Sequence, residues 1–505
     1  MTFVVQKQVK NLSLRSLALV RIWWVAPLLC SVVGIAMFVS SPTFSAPDSP
    51  VHLSTAWYDV HHGLPDTSRV EAAQGVTDPY APCYAFKPLQ DVNCTSARES
   101  YDISANTQRL TNYPVPFYWI VGLGEVIAHP LRPSVTGDAG RAFGLLACLA
   151  LLFLAARRLH RAEERSAIWA IFLLFPPAAP FLMAGGNPNG WEIACSVFFI
   201  ATLLAQRRTI LHNEVGPRQM LTIGIAALLF STARPSSGIW MVLVTAGVVL
   251  WFQLWKNKRN LVRLAISILP GFILSVFWQV AFPVLPKSIS STPLIPSPSV
   301  FYHHVVLSLE DLSGKVIQIW GVLGWTDVVP SELVVIAGGM VLMYFLPTIA
   351  PTAKHRAFLV GSLGVVFISS ALFEALSWDV YPQWWQGRYS ITPLVGLLMV
   401  LFSGRDQRER LGLFALAAVA ALGDAYMVCL NFWRYSYGIS NGFPAQLQHS
   451  AYVPAHALHV YAFVLVLLAA SGVLFAAHFA QRAEARGVNP TLDLGMTDFV
   501  SSLSN

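Results

Sequence analysis

Charged side chains are scarce in this chain. Asp, Glu, Lys and Arg make up 12% of its 505 residues, about half the share of an average soluble domain. That scarcity, with many apolar runs close to 20 residues long, excludes an ordinary soluble globule and predicts an all-α polytopic membrane protein. No cleavable leader is expected either. The run over 22–41 outlasts a signal peptide's apolar core and no clear small-x-small site follows it, so it is expected to stay as an anchor. Cysteine is sparse, with six residues. Cys30, Cys148, Cys195 and Cys429 fall in apolar runs and are expected as core thiols. Cys83 and Cys94 share one polar loop; their spacing permits a disulfide, which would put that loop in an oxidising compartment. No repeat relates the two halves, and the Pro/Ser-rich LPKSISSTPLIPSPS is the one biased segment.

What is present is a patterned surplus of positive charge, +7 at neutral pH. Apolar runs lie at about 22–41, 139–157, 166–184, 189–206, 219–233, 236–255, 261–283, 331–350, 357–376, 389–403, 411–431 and 457–480. A thirteenth candidate, 114–130, is short and flanked by prolines. If it crossed the membrane, ARRLHRAEER and most later basic loops would face outward, against the positive-inside rule. If it lies along the outer surface as an interfacial helix, most of the 33 basic residues fall on the cytoplasmic side. The second threading is the expected one. It gives about twelve spans with both termini cytoplasmic: an N-terminus over 1–21, a membrane domain over 22–480 and a tail over 481–505. Two large loops, 42–138 and 284–330, lie outside. The basic surplus is thus a topology signal, and nucleic acid is not an expected partner.

Unusual polar chemistry gathers on the outer face. In APDSPVHLSTAWYDVHHGLP, Asp48 stands just beyond the first span. A carboxylate there can act as a general base on an incoming hydroxyl, ligate a divalent cation such as Mg or Mn, or simply cap a helix. His52 follows by one helical turn and shares its face. His61 and His62 suit a helix end running into the turn at Gly63. In TNYPVPFYWIVGLGEV, prolines followed by aromatics suit a helix at headgroup depth, with Tyr113 at its start. Four arginines, Arg141, Arg234, Arg388 and Arg434, sit at the outer boundary, where they either snorkel to headgroups or hold an anionic phosphate. Tyr389 adjoins one of them. Glu192, in GGNPNGWEIA, and Asp424, deeper in a span, are costly in a membrane unless paired.

In order, these elements resemble the GT-C superfamily of lipid-phosphate-sugar-dependent glycosyltransferases: Asp48 in the first outer loop, NYPVPFYW, Arg141 opening the second span, and AARRL closing it. More narrowly, DSPVHLSTAW, NYPVPFYW, NPNGWEIA, ARPSSGIW and WQGRYSITP resemble the landmarks of a bacterial membrane family known as domain of unknown function 2142. The resemblance spans roughly residues 40–400. It implies that Asp48 is the catalytic or metal-associated carboxylate with His52 as its partner. It also implies that Arg141, Arg234 and Arg388 contact lipid phosphate or substrate. Ser49 stands where that family usually has a second acidic residue, which weakens a two-carboxylate metal site.

The expected activity is transfer of a sugar from a polyprenyl-phosphate donor to an envelope glycan or glycoprotein, at the outer face of a bacterial cytoplasmic membrane. Tyr113, Glu192 and Tyr389 are expected to help bind the substrate. Two alternatives are a twelve-span transporter or flippase, and a non-catalytic assembly protein. Transporters usually carry internal repeats and mid-membrane ionisable groups; here the polar residues cluster at one rim.

Overall fold

A computed structural model describes residues 22–63, 82–92, 94, 113–212, 215–282, 297–376, 385–405, 412–445 and 457–485. The termini beyond these residues, most of LPKSISSTPLIPSPS and residues 377–384 of the loop before Arg388 lie outside the described residues. Among the described residues the fold is helical apart from one two-residue strand pairing, Ile439–Ser440 with Phe443–Pro444, and an isolated bridge between Leu323 and Val328.

The apolar runs of the sequence are helical, with 166–184 and 331–350 each divided between two helices. The first helix is α1 (Val25–Ser40), followed by α2 (Ser49–His62) and α3 (Val115–Ala128) in the first loop. The central helices are α4 (Thr136–Arg161), α5 (Arg165–Leu173), α6 (Ala178–Ala184), α7 (Pro188–His212), α8 (Pro217–Ser231), α9 (Ser237–Phe252) and α10 (Lys258–Ala281). Then come α11 (Pro298–Glu310), α12 (Leu312–Gly321), α13 (Glu332–Tyr344), α14 (Leu346–Ile349) and α15 (Ala353–Leu376). The chain closes with α16 (Gly387–Leu401), α17 (Leu413–Tyr437) and α18 (Ala457–Ala485). Among the described residues, six helices are long and apolar enough to cross a membrane, which makes this a multi-pass membrane protein. The run expected as one span over 166–184 is instead two helices, α5 and α6, bent by 76°. Pro176 and Pro177 stand at the break, where two missing N–H donors stop helix propagation.

α7 is the axis of the bundle: every residue from Pro188 to Leu204 is buried. A helix apolar nearly all round must be surrounded by others, and α4, α6, α8 and α16 pack against it. Gly190 permits the closest approach, since a Cβ there would collide with the backbone of Met183 on α6. α10 and α18 lie at the periphery, each only 28% buried over its most apolar stretch. Their exposed Ile, Leu, Val and Phe side chains suit acyl chains rather than water.

Contacts sort the helix ends into two groups. At one end Thr43 Oγ1 donates to Asp138 Oδ1 (2.7 Å), so the loop over 42–138 leaves and re-enters the bundle on the same side. α2 and α3 pack together within that loop, and Gly122 of α3 lets it lie against the backbone of Ala56 on α2. At the other end, buried Glu164 accepts from Arg207, from Ser403 Oγ (3.4 Å) and from the Gly404 N–H (2.8 Å). There too Arg405 donates to the carbonyls of Thr348 and Ile349.

Candidate active site

The turn before α2 decides what Asp48 does. Asp48 occupies the N-cap position but takes a left-handed backbone (φ 60°), and its carboxylate makes no capping bond. An N-cap side chain normally reaches its own helix from an extended backbone. Here the carboxylate, 53% exposed, accepts from Arg388 Nη2 at 3.1 Å. Ser49 is buried and turned away, donating to the Gly185 carbonyl at 2.9 Å.

Arg388 opens α16 and is buried. Its Nη2 also donates to the Tyr389 hydroxyl at 3.3 Å. The Tyr389 ring lies 4.6 Å from the guanidinium carbon of Arg234, which also hydrogen-bonds Tyr113. Burial alone would lower the Arg234 pKa; Tyr113, Glu192 and Tyr389 outweigh it and raise it, so the charge is kept. Glu192 spends both oxygens on structure. Oε1 accepts from Ser237 Oγ (2.6 Å), and Oε2 from Arg234 Nη1 (3.4 Å) and Thr392 Oγ1 (3.0 Å). It therefore ties α7, the α8–α9 turn and α16 together and orients Arg234. The Nε–H groups of Arg234 and Arg388 are both buried without a partner among the described residues. A narrow cavity of about 20 Å³, room for about one water, is lined by Arg388, Gln386, Gln318 and Pro47.

His52 is buried one turn into α2, its Nδ1 2.9 Å from the Tyr118 hydroxyl. Its ring lies edge-on to Tyr113. Burial pushes its pKa down to about 3; the Asp48 carboxylate works against this, and Arg234 and Arg388 add to it. The imidazole is therefore neutral at physiological pH and positions the two tyrosines.

Two of the four boundary arginines are directed elsewhere. Arg141, expected beside a lipid phosphate, is 1% exposed. Its five N–H donors are engaged by the carbonyls of Ala184, Ser41 and Phe38 and by Asp138 Oδ1 at 3.0 Å. It braces the end of α1 against α4 and α6 and has no donor left for a ligand. Arg434 is fully buried and pairs with Asp327 at 2.6 Å while donating to the carbonyls of Tyr84, Lys87 and Gln90. It fastens to α17 the short segment in which Cys83 and Cys94 are joined as a disulfide.

Ser237, Thr392 and Tyr118 complete the site; the sequence marked Tyr118 only as one of the interfacial aromatics and did not single out the other two. All three lie inside ARPSSGIW, WQGRYSITP or NYPVPFYW, so the motifs carried them without giving them roles. The described residues by themselves assemble no divalent-cation site. Asp48 is bonded to a guanidinium, Glu192 already accepts from three donors, and no group of three His, Cys, Asp or Glu side chains among the described residues could hold a metal.

A family model described as a predicted membrane protein, DUF2142, matches residues 30–398. The chain belongs to that family. The match takes in every member of the cluster from Asp48 to Thr392. No curated protein matches the sequence. Among solved structures, this DUF2142 chain is similar to ArnT from Cupriavidus metallidurans bound to undecaprenyl phosphate. That likeness has 13% identity and a TM-score of 0.39, covering 90% of this chain and 76% of that one. It is also similar to the Archaeoglobus fulgidus oligosaccharyltransferase in complex with zinc and sulfate, at 14% identity and a TM-score of 0.36, over 82% of this chain and 53% of that one. Archaeal AglB from the same organism, in complex with an inhibitory peptide and a dolichol-phosphate, gives 14% identity and a TM-score of 0.36 over 92% and 55%. The chain spans about half the length of these last two. Identities this low leave the roles of its side chains to be read from this chain alone.

Proposed function

We propose that the protein is a membrane glycosyltransferase of GT-C type, moving a sugar from a polyprenyl-phosphate donor to an envelope glycan or glycoprotein. It would act at the outer face of a bacterial cytoplasmic membrane, with about twelve spans and both termini cytoplasmic. The observation that carries this reading is one half-exposed carboxylate, Asp48, bonded to the first of two buried arginines whose Nε donors have no partner among the described residues.

Such a pairing complements a hydroxyl nucleophile and a phosphate leaving group. Asp48 takes the acceptor hydroxyl's proton as that oxygen bonds to the anomeric carbon. The bond from that carbon to the phosphate oxygen breaks, with inversion, and the electron pair leaves with the polyprenyl phosphate. Arg388 and Arg234, held by Tyr389, Tyr113 and Glu192, stabilise the developing charge from positions fixed before reaction. Phosphate drawing on Arg388 loosens its hold on Asp48 and leaves the carboxylate free to act as base. Arg141 has no part in this scheme, because its donors are spent.

The test is consumption of a polyprenyl-phosphate sugar by purified protein, with Asp48→Asn as control. Transfer by the wild type and its loss in the variant are expected. Equal rates in the two would overturn the assignment of Asp48.

A further inference from the structure

The opposite end of α4 carries a second concentration of charge that plays no part in this chemistry. Its last turns present Arg157, Arg158 and Arg161 to one crevice of about 370 Å³, walled by Leu154, Ala162 and Ala205 of α7. Residues at i and i+4 share a helix face, so Arg157 and Arg161 repel each other, as do Arg158 and Arg161 at i and i+3. Nearby arginines are neutralised: Arg207 pairs with Glu164, and Arg208 lies 3.8 Å from Glu163. The three crevice arginines have no carboxylate partner among the described residues. Arg158 is steered inward over the Phe198 ring, 5.0 Å from its centroid, which fixes one wall of the crevice.

An apolar track leads into this charge. Leu146, Ala150 and Leu154 are exposed on α4 at successive i, i+4 steps, and exposed Arg157 and Arg161 continue the same face. A track of that kind on a membrane helix faces acyl chains, and its charged terminus stands at headgroup depth. A free phosphate would use the arginines but not the track. An anionic phospholipid uses both.

We propose that this crevice is a binding site for an anionic phospholipid. Its phosphodiester sits among Arg157, Arg158 and Arg161, and an acyl chain runs along Leu154, Ala150 and Leu146. The site lies at the end of α4 remote from Asp48, so it stands or falls independently of the catalytic reading.

The test uses the full chain in nanodiscs of phosphatidylcholine with and without phosphatidylglycerol, followed by native mass spectrometry and thermal melting. Wild type is expected to retain phosphatidylglycerol over phosphatidylcholine by at least about tenfold, given three arginines at the surface, and to melt higher when it is present. Arg157→Gln with Arg161→Gln should abolish both effects. Should that variant fail to insert, Leu154→Trp, which fills the crevice and keeps every charge, should abolish them as well. Equal retention by wild type and Leu154→Trp would mean diffuse surface attraction and overturn the proposal. The same melting shift from inorganic phosphate in pure phosphatidylcholine would overturn it too, since the ligand would then be a free anion.

Discussion

Asp48→Asn keeps the side chain's size and can still accept a bond from Arg388, while losing basicity. Removing a general base typically costs 10²–10⁴-fold in rate, so transfer is expected to fall by about that factor with normal expression and an unchanged melt. Two other titratable groups make opposite demands on the fold. His52 is buried neutral with its pKa pushed down to about 3. Its contribution is complete above the ordinary histidine range and is lost as pH falls from about 6.5 toward 3, at roughly 1.4 kcal/mol per unit. His52→Gln can still bond Tyr118 and does not titrate, so its acid melting should be flatter than wild type. Glu125 on α3 is buried against Gly140, with neither carboxyl oxygen partnered among the described residues, and burial holds its pKa well above the usual carboxylate range. Such a group favours the fold below its unfolded pKa near 4.3 and loses that contribution as pH rises. Glu125→Gln should therefore melt above wild type at pH 8, and the gap should close toward pH 5. A lower melt at pH 8 would mean that the carboxylate has a partner.

At the scale of elements, the disulfide segment shows how a loop becomes part of a bundle. Cys83 and Cys94, 11 residues apart, close a short loop, and Arg434 of α17 gathers three of its carbonyls while pairing with Asp327. Replacing both cysteines by serine is expected to cost about 2–3 kcal/mol in the chain-entropy description, read as a lower midpoint in denaturant. Spacing made the pairing of the two cysteines legible. The Arg434–Asp327 pair was not, because 107 residues separate its members and nothing local marks Asp327. The same limit applies to the arginines. By position alone the four boundary arginines are equivalent cations, and the resemblance grouped Arg141 with Arg234 and Arg388. Folding gave Arg141 and Arg434 carbonyls to satisfy, while Arg234 and Arg388 went to a cluster with donors to spare.

For the whole molecule, the sidedness of the two ends is the measurable claim. Ser134, at the Asp48 end, and Thr352, at the end of Arg405 and Glu164, are both exposed. Single cysteines placed there should react with impermeant maleimide from opposite sides of the membrane, Ser134→Cys from outside. Labelling of both from one side would remove the twelve-span threading and, with it, the placement of the active site on the outer face.

The sequence by itself determined that this is a helical membrane protein. Hydropathy and helix-starting prolines are local properties, and the apolar runs became helical where they indicated, although 166–184 and 331–350 are each divided between two helices. The motif order singled out Asp48, Arg141, Arg234 and Arg388 alike; the fold gathers Asp48, Arg234 and Arg388 and leaves Arg141 to brace helix ends. Which polar groups meet was decided only in three dimensions. Arg388 reaches Asp48 across 340 residues, and Glu192 bonds Thr392 across 200. Pairings at that range come from how α7 is surrounded by its neighbours, and no local pattern encodes them. Tertiary packing also separated the arginines with donors unpartnered among the described residues from those that brace the fold. The reason is that a buried guanidinium must satisfy its donors with whatever the fold places beside it.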